Sequence, residues 1–170
     1  MVSIEDVKKI YLLQNMSNEM LERIHPLVQS ISYNERDVVY EEGQTADKFF
    51  MLKQGKILLE VKVSETVTIS LGSIKSGYSF GWSALIPGSS YTSYAVCSEP
   101  CEVLSIHGNS FLGILHQDHT MGYIFMEGVV KILKNRLERR TGQFLKVMSK
   151  QPDIQKFLEL ELEELEAASS

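Results

Sequence analysis

Apolar residues recur three and four apart near both ends of the chain and alternate or run together through its middle, and those two periods divide it into helical and extended parts. Ile4, Val7, Ile10 and Tyr11 predict a first short helix. Ser17 is a good N-cap with Glu19 in the following turn, and Met20, Leu21, Ile24, Leu27 and Val28 share one face of a second. Pro26 and Ser30-Ile31-Ser32 loosen its end.

From Tyr33 to Ile106 short runs of β-branched and aromatic residues are broken by glycine and polar turns. The runs are Val38-Val39-Tyr40, Phe49 to Leu52, Ile57 to Val63, Thr66 to Leu71, Tyr94-Ala95-Val96 and Val103 to Ile106, with a glycine-rich stretch over Gly72–Gly81. Strands about 8–12 residues apart with turn residues between them indicate an antiparallel β-barrel or roll. Lys62, Glu65 and Thr66 suit an exposed hairpin bend.

After Gly108 the helical period returns. Phe111, Leu112, Ile114 and Leu115 make a short helix, and a long one follows from about Met121. It carries two apolar stripes. Met121, Phe125, Val129 and Ile132 can cover the roll, whereas Met126, Val130, Leu133, Leu137, Arg140 and Phe144 alternate steps of 4 and 3, the spacing of a coiled-coil seam. A second copy of the chain is the simplest partner for that seam. Gly142 ends or bends this helix, leaving Gln143–Met148 and Ile154–Leu165 for a last helical segment.

The 170 residues are enough for one domain with an appendage, and 44% apolar content lets it bury a core without disulfide staples. Two cysteines, Cys97 and Cys101, cannot complete a four-ligand metal site. The net charge of −5 is unevenly distributed. Residues 1–130 hold 9 basic and 15 acidic side chains, residues 131–150 hold 7 basic against Glu138, and residues 151–170 hold 6 acidic against Lys156. An acidic whole argues against general nucleic-acid binding, and the acidic end leaves no room for a helix-turn-helix reader. That acidic segment either lies along the basic helix, through pairs that are individually weak, or both are solvated faces. The amino terminus lacks the apolar run of a signal peptide and no stretch approaches a membrane span, so the expected location is cytoplasmic.

Five short signals, four of them with glycine, occur in order: Tyr40 to Asp47 around Gly43, Met51 to Ile57 around Gly55, Leu71-Gly72, Gly77 to Gly81, and Ala84-Leu85-Ile86. Together they resemble the cyclic-nucleotide-binding domain family of catabolite-activator-type regulators and kinase regulatory subunits, over about Leu12 to Leu137. The resemblance implies a mainly β fold, an antiparallel β-roll of the double-stranded β-helix or jelly-roll type, with short N-terminal helices and a long C-terminal helix closing over the ligand. It implies a phosphate-binding cassette over Phe80–Ser93. The family's acidic residue for the ribose falls on Trp82 and its arginine for the cyclic phosphate on Tyr91, or on Thr92 if the loop length differs by one.

That departure limits what carries over. A guanidinium hydrogen-bonded to phosphate contributes roughly 1.5–3 kcal/mol, one to two decades of affinity, which neither Trp82 nor Tyr91 supplies. The hydroxyls of Ser83, Tyr91, Thr92 and Ser93 remain, along with main-chain amides at a short helical turn near Ser83. An indole at 82 either stacks on a flat ligand or fills the pocket. The expected ligand-facing residues are Gly81, Trp82, Ser83, Ala84, Leu85, Tyr91, Thr92 and Ser93.

Other signals are weaker. His116 and His119 lack the further ligands of a metal site. Cys97 and Cys101 flank Ser98-Glu99-Pro100 as buried thiols rather than a redox pair. Gly81-Trp82-Ser83-Ala84 lacks the second glycine of a nucleophile elbow. The chain therefore reads as no enzyme, needing no metal or cofactor. It is a regulatory sensor for cyclic AMP, cyclic GMP or a related small ligand, signalling through its C-terminal helix, or else a ligand-free dimerisation scaffold. The expected parts are 1–120, the roll with its N-terminal helices; 121–149, a capping and dimerisation helix; and 150–170, an acidic tail. The expected partners are a small ligand and a second copy, with no nucleic acid and no membrane.

Overall fold

The computed structural model describes residues 2–150. These residues divide into two units, 2–128 and 129–150. Ser3 and Asp6 form a capping box that starts helix α1 (Ile4–Lys8). Ser17 caps helix α2 (Asn18–Ile24), its hydroxyl accepting from the Met20 amide at 3.2 Å. Pro26 falls in a single 3-10 turn, His25–Leu27.

Eight strands follow: β1 (Gln29–Tyr33), β2 (Val38–Tyr40), β3 (Lys48–Gln54), β4 (Lys56–Lys62), β5 (Thr68–Lys75), β6 (Ser79–Phe80), β7 (Tyr94–Cys97) and β8 (Cys101–His107). They form two four-stranded sheets in the orders β1-β8-β3-β6 and β2-β7-β4-β5, with every paired neighbour antiparallel. Helix α3 (Gly108–Gln117) and helix α4 (His119–Met148) complete the described chain. The architecture is the expected mainly β roll with flanking helices.

Three boundaries differ from the sequence reading. Ser30, Ile31 and Ser32 are strand, because β1 pairs with β8, which sets Ile31 opposite Val103; a partner so distant in sequence leaves no local signal. Strand β5 starts later than Thr66 and runs through Gly72, where Leu71 is an extra residue on β5, a bulge opposite Leu59 and Glu60 of β4 that absorbs the irregularity. Gly142 does not end α4, which continues to Met148; a lone exposed glycine costs a helix only about 1 kcal/mol relative to alanine. The expected segment Ile154–Leu165 and the tail 150–170, apart from Lys150, lie outside the described residues.

Strand β3 shows how the core divides, since successive side chains on a strand face opposite ways. Phe50 and Leu52 point into the roll with Tyr40, Ile57, Phe80, Tyr91, Ala95 and Val103. Phe49 points outward and is fully buried. It stacks on Phe111 of α3 at 5.8 Å and meets the ring of Phe125 of α4 edge-on at 6.0 Å. Asp118 accepts from the Met121 amide at 2.9 Å and pairs with Arg23 at 2.8 Å, so α4 begins at a capped and anchored position.

Lys53 on β3 ties the N-terminal helix to the sheet. Its ammonium lies 2.8 Å from Glu102 of β8 and 3.3 Å from Asp6 of α1. The hydrogen bond from Lys53 holds Glu102 below its ordinary 4.5, and the Ser3 amide chiefly holds Asp6 below 3.8. The Glu102 hydrogen bond raises Lys53 above 10.5. Depressed carboxylates stabilise the fold above their unfolded values and lose that contribution as pH falls through the folded ones; a raised lysine contributes below 10.5 and loses it as pH climbs past its folded value. Urea midpoints should therefore separate wild type from Lys53→Met at neutral pH, with the gap narrowing at both acid and alkaline extremes.

Candidate functional site

The cassette begins where β6 ends. Gly81 takes a left-handed backbone (φ 69°, ψ 34°) and caps the single 3-10 turn Trp82–Leu85. A Cβ there would lie 2.7 Å from the Phe50 ring, so both conformation and space favour glycine. Loop 86–91 is strapped to the segment between β2 and β3. The Tyr91 amide donates to the Gln44 carbonyl at 2.9 Å, the Gly43 amide to the Tyr91 carbonyl at 2.8 Å, and the Ala46 amide to the Ser89 carbonyl at 3.0 Å.

Tyr91, at the position of the family's arginine, is buried in the roll interior. Its ring stacks on Tyr40 with centroids 3.8 Å apart. Its hydroxyl donates to the Lys48 carbonyl at 2.8 Å and accepts from the Lys48 amide at 3.2 Å. Burial raises its pKa, so the hydroxyl stays protonated and that pairing persists at neutral pH. Tyr91 is therefore a core residue that closes the inner end of the cassette.

The indole of Trp82 is engaged by the protein itself. Its Nε1 donates to the Ser79 carbonyl at 3.2 Å, and its ring meets the edge of Phe49, centroids 5.8 Å apart. Phe49 faces the helices, so the indole lies on the outer side of its sheet, joining the cassette turn to the helical layer.

The other expected site residues divide by exposure. Ala84 is buried beneath Gly108, Ser83 and Leu85 are half-buried, Thr92 is exposed and Ser93 is 6% exposed. The hydroxyls of Ser83, Thr92 and Ser93 hydrogen-bond to no group among the described residues. From Ser76 through Ser98 no side chain is charged, so the cassette has no cation of its own.

The sequence reading missed the walls beside the cassette. Strand β4 pairs with β7 through Leu59↔Ala95 and Glu60↔Tyr94, and continuing that register brings Val61 beside Ser93. Ile57 and Ile74 point inward, and so by alternation do Leu59, Val61 and, opposite Val61, Ile69. Yet Leu59 and Val61 are only half-buried and Ile69 is 48% exposed. The apolar inner face is therefore uncovered at this end of β4 and β5. Alternation along Ile57–Val61 was the available signal; the uncovering was not.

Among the described residues no group of three or more His, Cys, Asp or Glu side chains is placed to hold a metal, and no helix is long and apolar enough to cross a membrane. Burial, reinforced by contact with Cys101, pushes the Cys97 thiol up to about 12, which leaves it neutral and a poor nucleophile.

Residues 30–118 match the cyclic nucleotide-binding domain family. A Drosophila melanogaster cGMP-dependent protein kinase, isozyme 1, is 27% identical over 112 residues, which is 64% of this chain and 15% of the kinase. The chain thus spans less than a sixth of that relative's length. A Geobacter metallireducens protein named for cyclic-nucleotide binding superposes with a TM-score of 0.70 at 25% identity, over 81% of this chain and 99% of that one. The regulatory domain of Toxoplasma gondii PKA, crystallised with cAMP, gives 0.65 at 16% identity, over 77% of this chain and 48% of that one. With more than half its length matched, on a roll that carries the cassette between β6 and β7, this chain belongs to the cyclic nucleotide-binding domain family.

Proposed function

We propose that the protein is a regulatory sensor, not an enzyme, that takes a small ligand of the cyclic-nucleotide type into the hollow formed by β4, β5 and the cassette. The observation that carries this reading is the uncovered apolar face of Leu59, Val61 and Ile69 near the unpaired hydroxyls of Thr92 and Ser93. Apolar strand faces would receive a base or ring, while Gly81, Ser83, Ala84, Leu85, Thr92 and Ser93 would hold the polar edge. Trp82 has a different role. Movement of the 3-10 turn would press on Phe49 and, through it, on Phe111 and Phe125, so occupancy is passed to α4.

Without an arginine, cyclic AMP and cyclic GMP should bind about one to two decades more weakly than at a cassette that has one. Calorimetric titration with both nucleotides tests this. A saturable heat that weakens in Val61→Glu supports the reading; no heat and no shift in melting temperature at saturating nucleotide refutes it. Trp82→Glu with Tyr91→Arg should gain about tenfold or more in affinity while losing stability, because Tyr91 gives up its stack on Tyr40 and both bonds to Lys48.

Helix α4 would carry the signal to a second copy. Met126, Val130, Leu133, Leu137 and Phe144 are each more than half exposed, an apolar seam at coiled-coil spacing. Leu133→Glu with Leu137→Glu should convert a dimer to a monomer in sedimentation velocity, leaving the roll's melting transition in place. A second reading rests on the buried Tyr91: the cassette is degenerate and the domain is an assembly module. Loss of the dimer in the seam variant, together with no nucleotide heat, would select it.

A further inference from the structure

The roll has a second opening, at the opposite edge of the sheet from the hollow. Strands β4 and β5 end one side of the order β2-β7-β4-β5, and β2 ends the other. Between β2 and β1, the edge strand of the facing sheet, lies a cavity of about 180 Å³. Ile31 and Tyr33 line it from β1, Val39 and Tyr40 from β2, and Phe50 and Tyr91 from the interior. Gln44, Asp47 and Lys48 line the rest.

We propose that this cavity is a second small-molecule site, taking a planar heterocycle of about pyrimidine size with a hydrogen-bond donor and an acceptor on its rim. The volume is above the ~150 Å³ of an apolar cavity that holds benzene, room for one aromatic ring. The rings give the class. Tyr40 and Tyr91 already stack on each other, and Tyr40 packs on Phe50 at 5.6 Å. Tyr33 has no ring partner among the described residues, and its hydroxyl hydrogen-bonds to none of them. A flat guest would supply a stacking partner, the arrangement aromatic rings prefer.

Asp47 and Lys48, which line the cavity, would supply the rim chemistry. Lys48 is tied through its backbone to the Tyr91 hydroxyl, but its ammonium and the Asp47 carboxylate pair with no other side chain among the described residues. Adjacent, opposite and unpaired charges match an amino-oxo edge, which presents N–H to the carboxylate and a carbonyl to the ammonium. The site does not depend on what the hollow binds. Tyr91 is common to both, closing the cassette and lining the cavity, so a guest here would rest against a residue of the first site.

Cytosine is the probe, with cyclohexanol as a non-planar control. Titrated into the whole chain and followed by NMR, cytosine should shift Tyr33, Val39 and Tyr40 saturably, with intermolecular NOEs to the Tyr33 ring, and cyclohexanol should not. Asp47→Asn should weaken binding by about threefold to tenfold, and Val39→Trp, which fills the cavity from a half-buried wall, should abolish it. No saturable shift at these residues, shifts confined to 59–71 and 92–93, or equal response to cyclohexanol would each overturn the proposal. Should Val39→Trp unfold, the NOEs in wild type decide alone: their absence at saturation overturns it.

Discussion

Replacing Phe49 with alanine should destabilise the protein by about 3–5 kcal/mol, the usual range for a fully buried phenylalanine whose neighbours cannot collapse into the gap. Phe49 is 0% exposed, and three aromatic rings depend on it at once: Trp82, Phe111 and Phe125, at 5.8, 5.8 and 6.0 Å. Those partners come from the cassette turn, α3 and α4, so relaxation toward the cavity would have to move three elements together. Denaturant unfolding should show a lower midpoint with little change in slope. The chain has a single tryptophan, so its emission should also shift to the red as the ring beside Trp82 is lost. A variant that kept its midpoint would mean the rings repack, and the proposed route from cassette to α4 would fail with it.

The second large effect is steric and comes with its own control. A Cβ on Gly108 would lie 2.0 Å from the Ala84 carbonyl oxygen and 2.8 Å from its carbon. The obstacle is backbone, so no rotamer change relieves it, and α3 would have to move away from the cassette turn. Overpacking of this kind costs about 1–3 kcal/mol, occasionally more, and the higher helix propensity of alanine returns at most about 1 kcal/mol. Gly108→Ala should therefore be clearly destabilising. Gly113, one and a half turns further along the same helix, meets nothing within 4 Å, so Gly113→Ala should be neutral or stabilising by up to about 1 kcal/mol. Opposite signs for one substitution on one helix would locate the cause in the Ala84 contact; equal signs would remove it.

Much of this fold was legible in local chemistry. Ser17 marks the start of α2 because a hydroxyl there meets an otherwise unpaired amide. The strands of the roll declare themselves by β-branched runs between turns, and Gly81 by a conformation that L side chains avoid. Ser30–Ser32 did not read as strand, since short polar residues look like loop until β8 arrives, some seventy positions later, to pair with them. Likewise β5 was cut short at Gly72, where the bulge that accommodates the glycine belongs to the pairing with β4.

For the site the division is sharper. The family resemblance of the sequence implies a cassette at Phe80–Ser93, and the sequence shows that this stretch carries no arginine or acid of its own. Where the two substituted side chains go was left to packing. Tyr91 turns into the roll because its hydroxyl finds both polar groups of the Lys48 backbone and its ring finds Tyr40; Trp82 turns outward because Phe49 offers an aromatic edge and Ser79 a carbonyl. Apart from the local bond to Ser79, these partners lie tens of residues away, and such contacts exist only once the strands have paired.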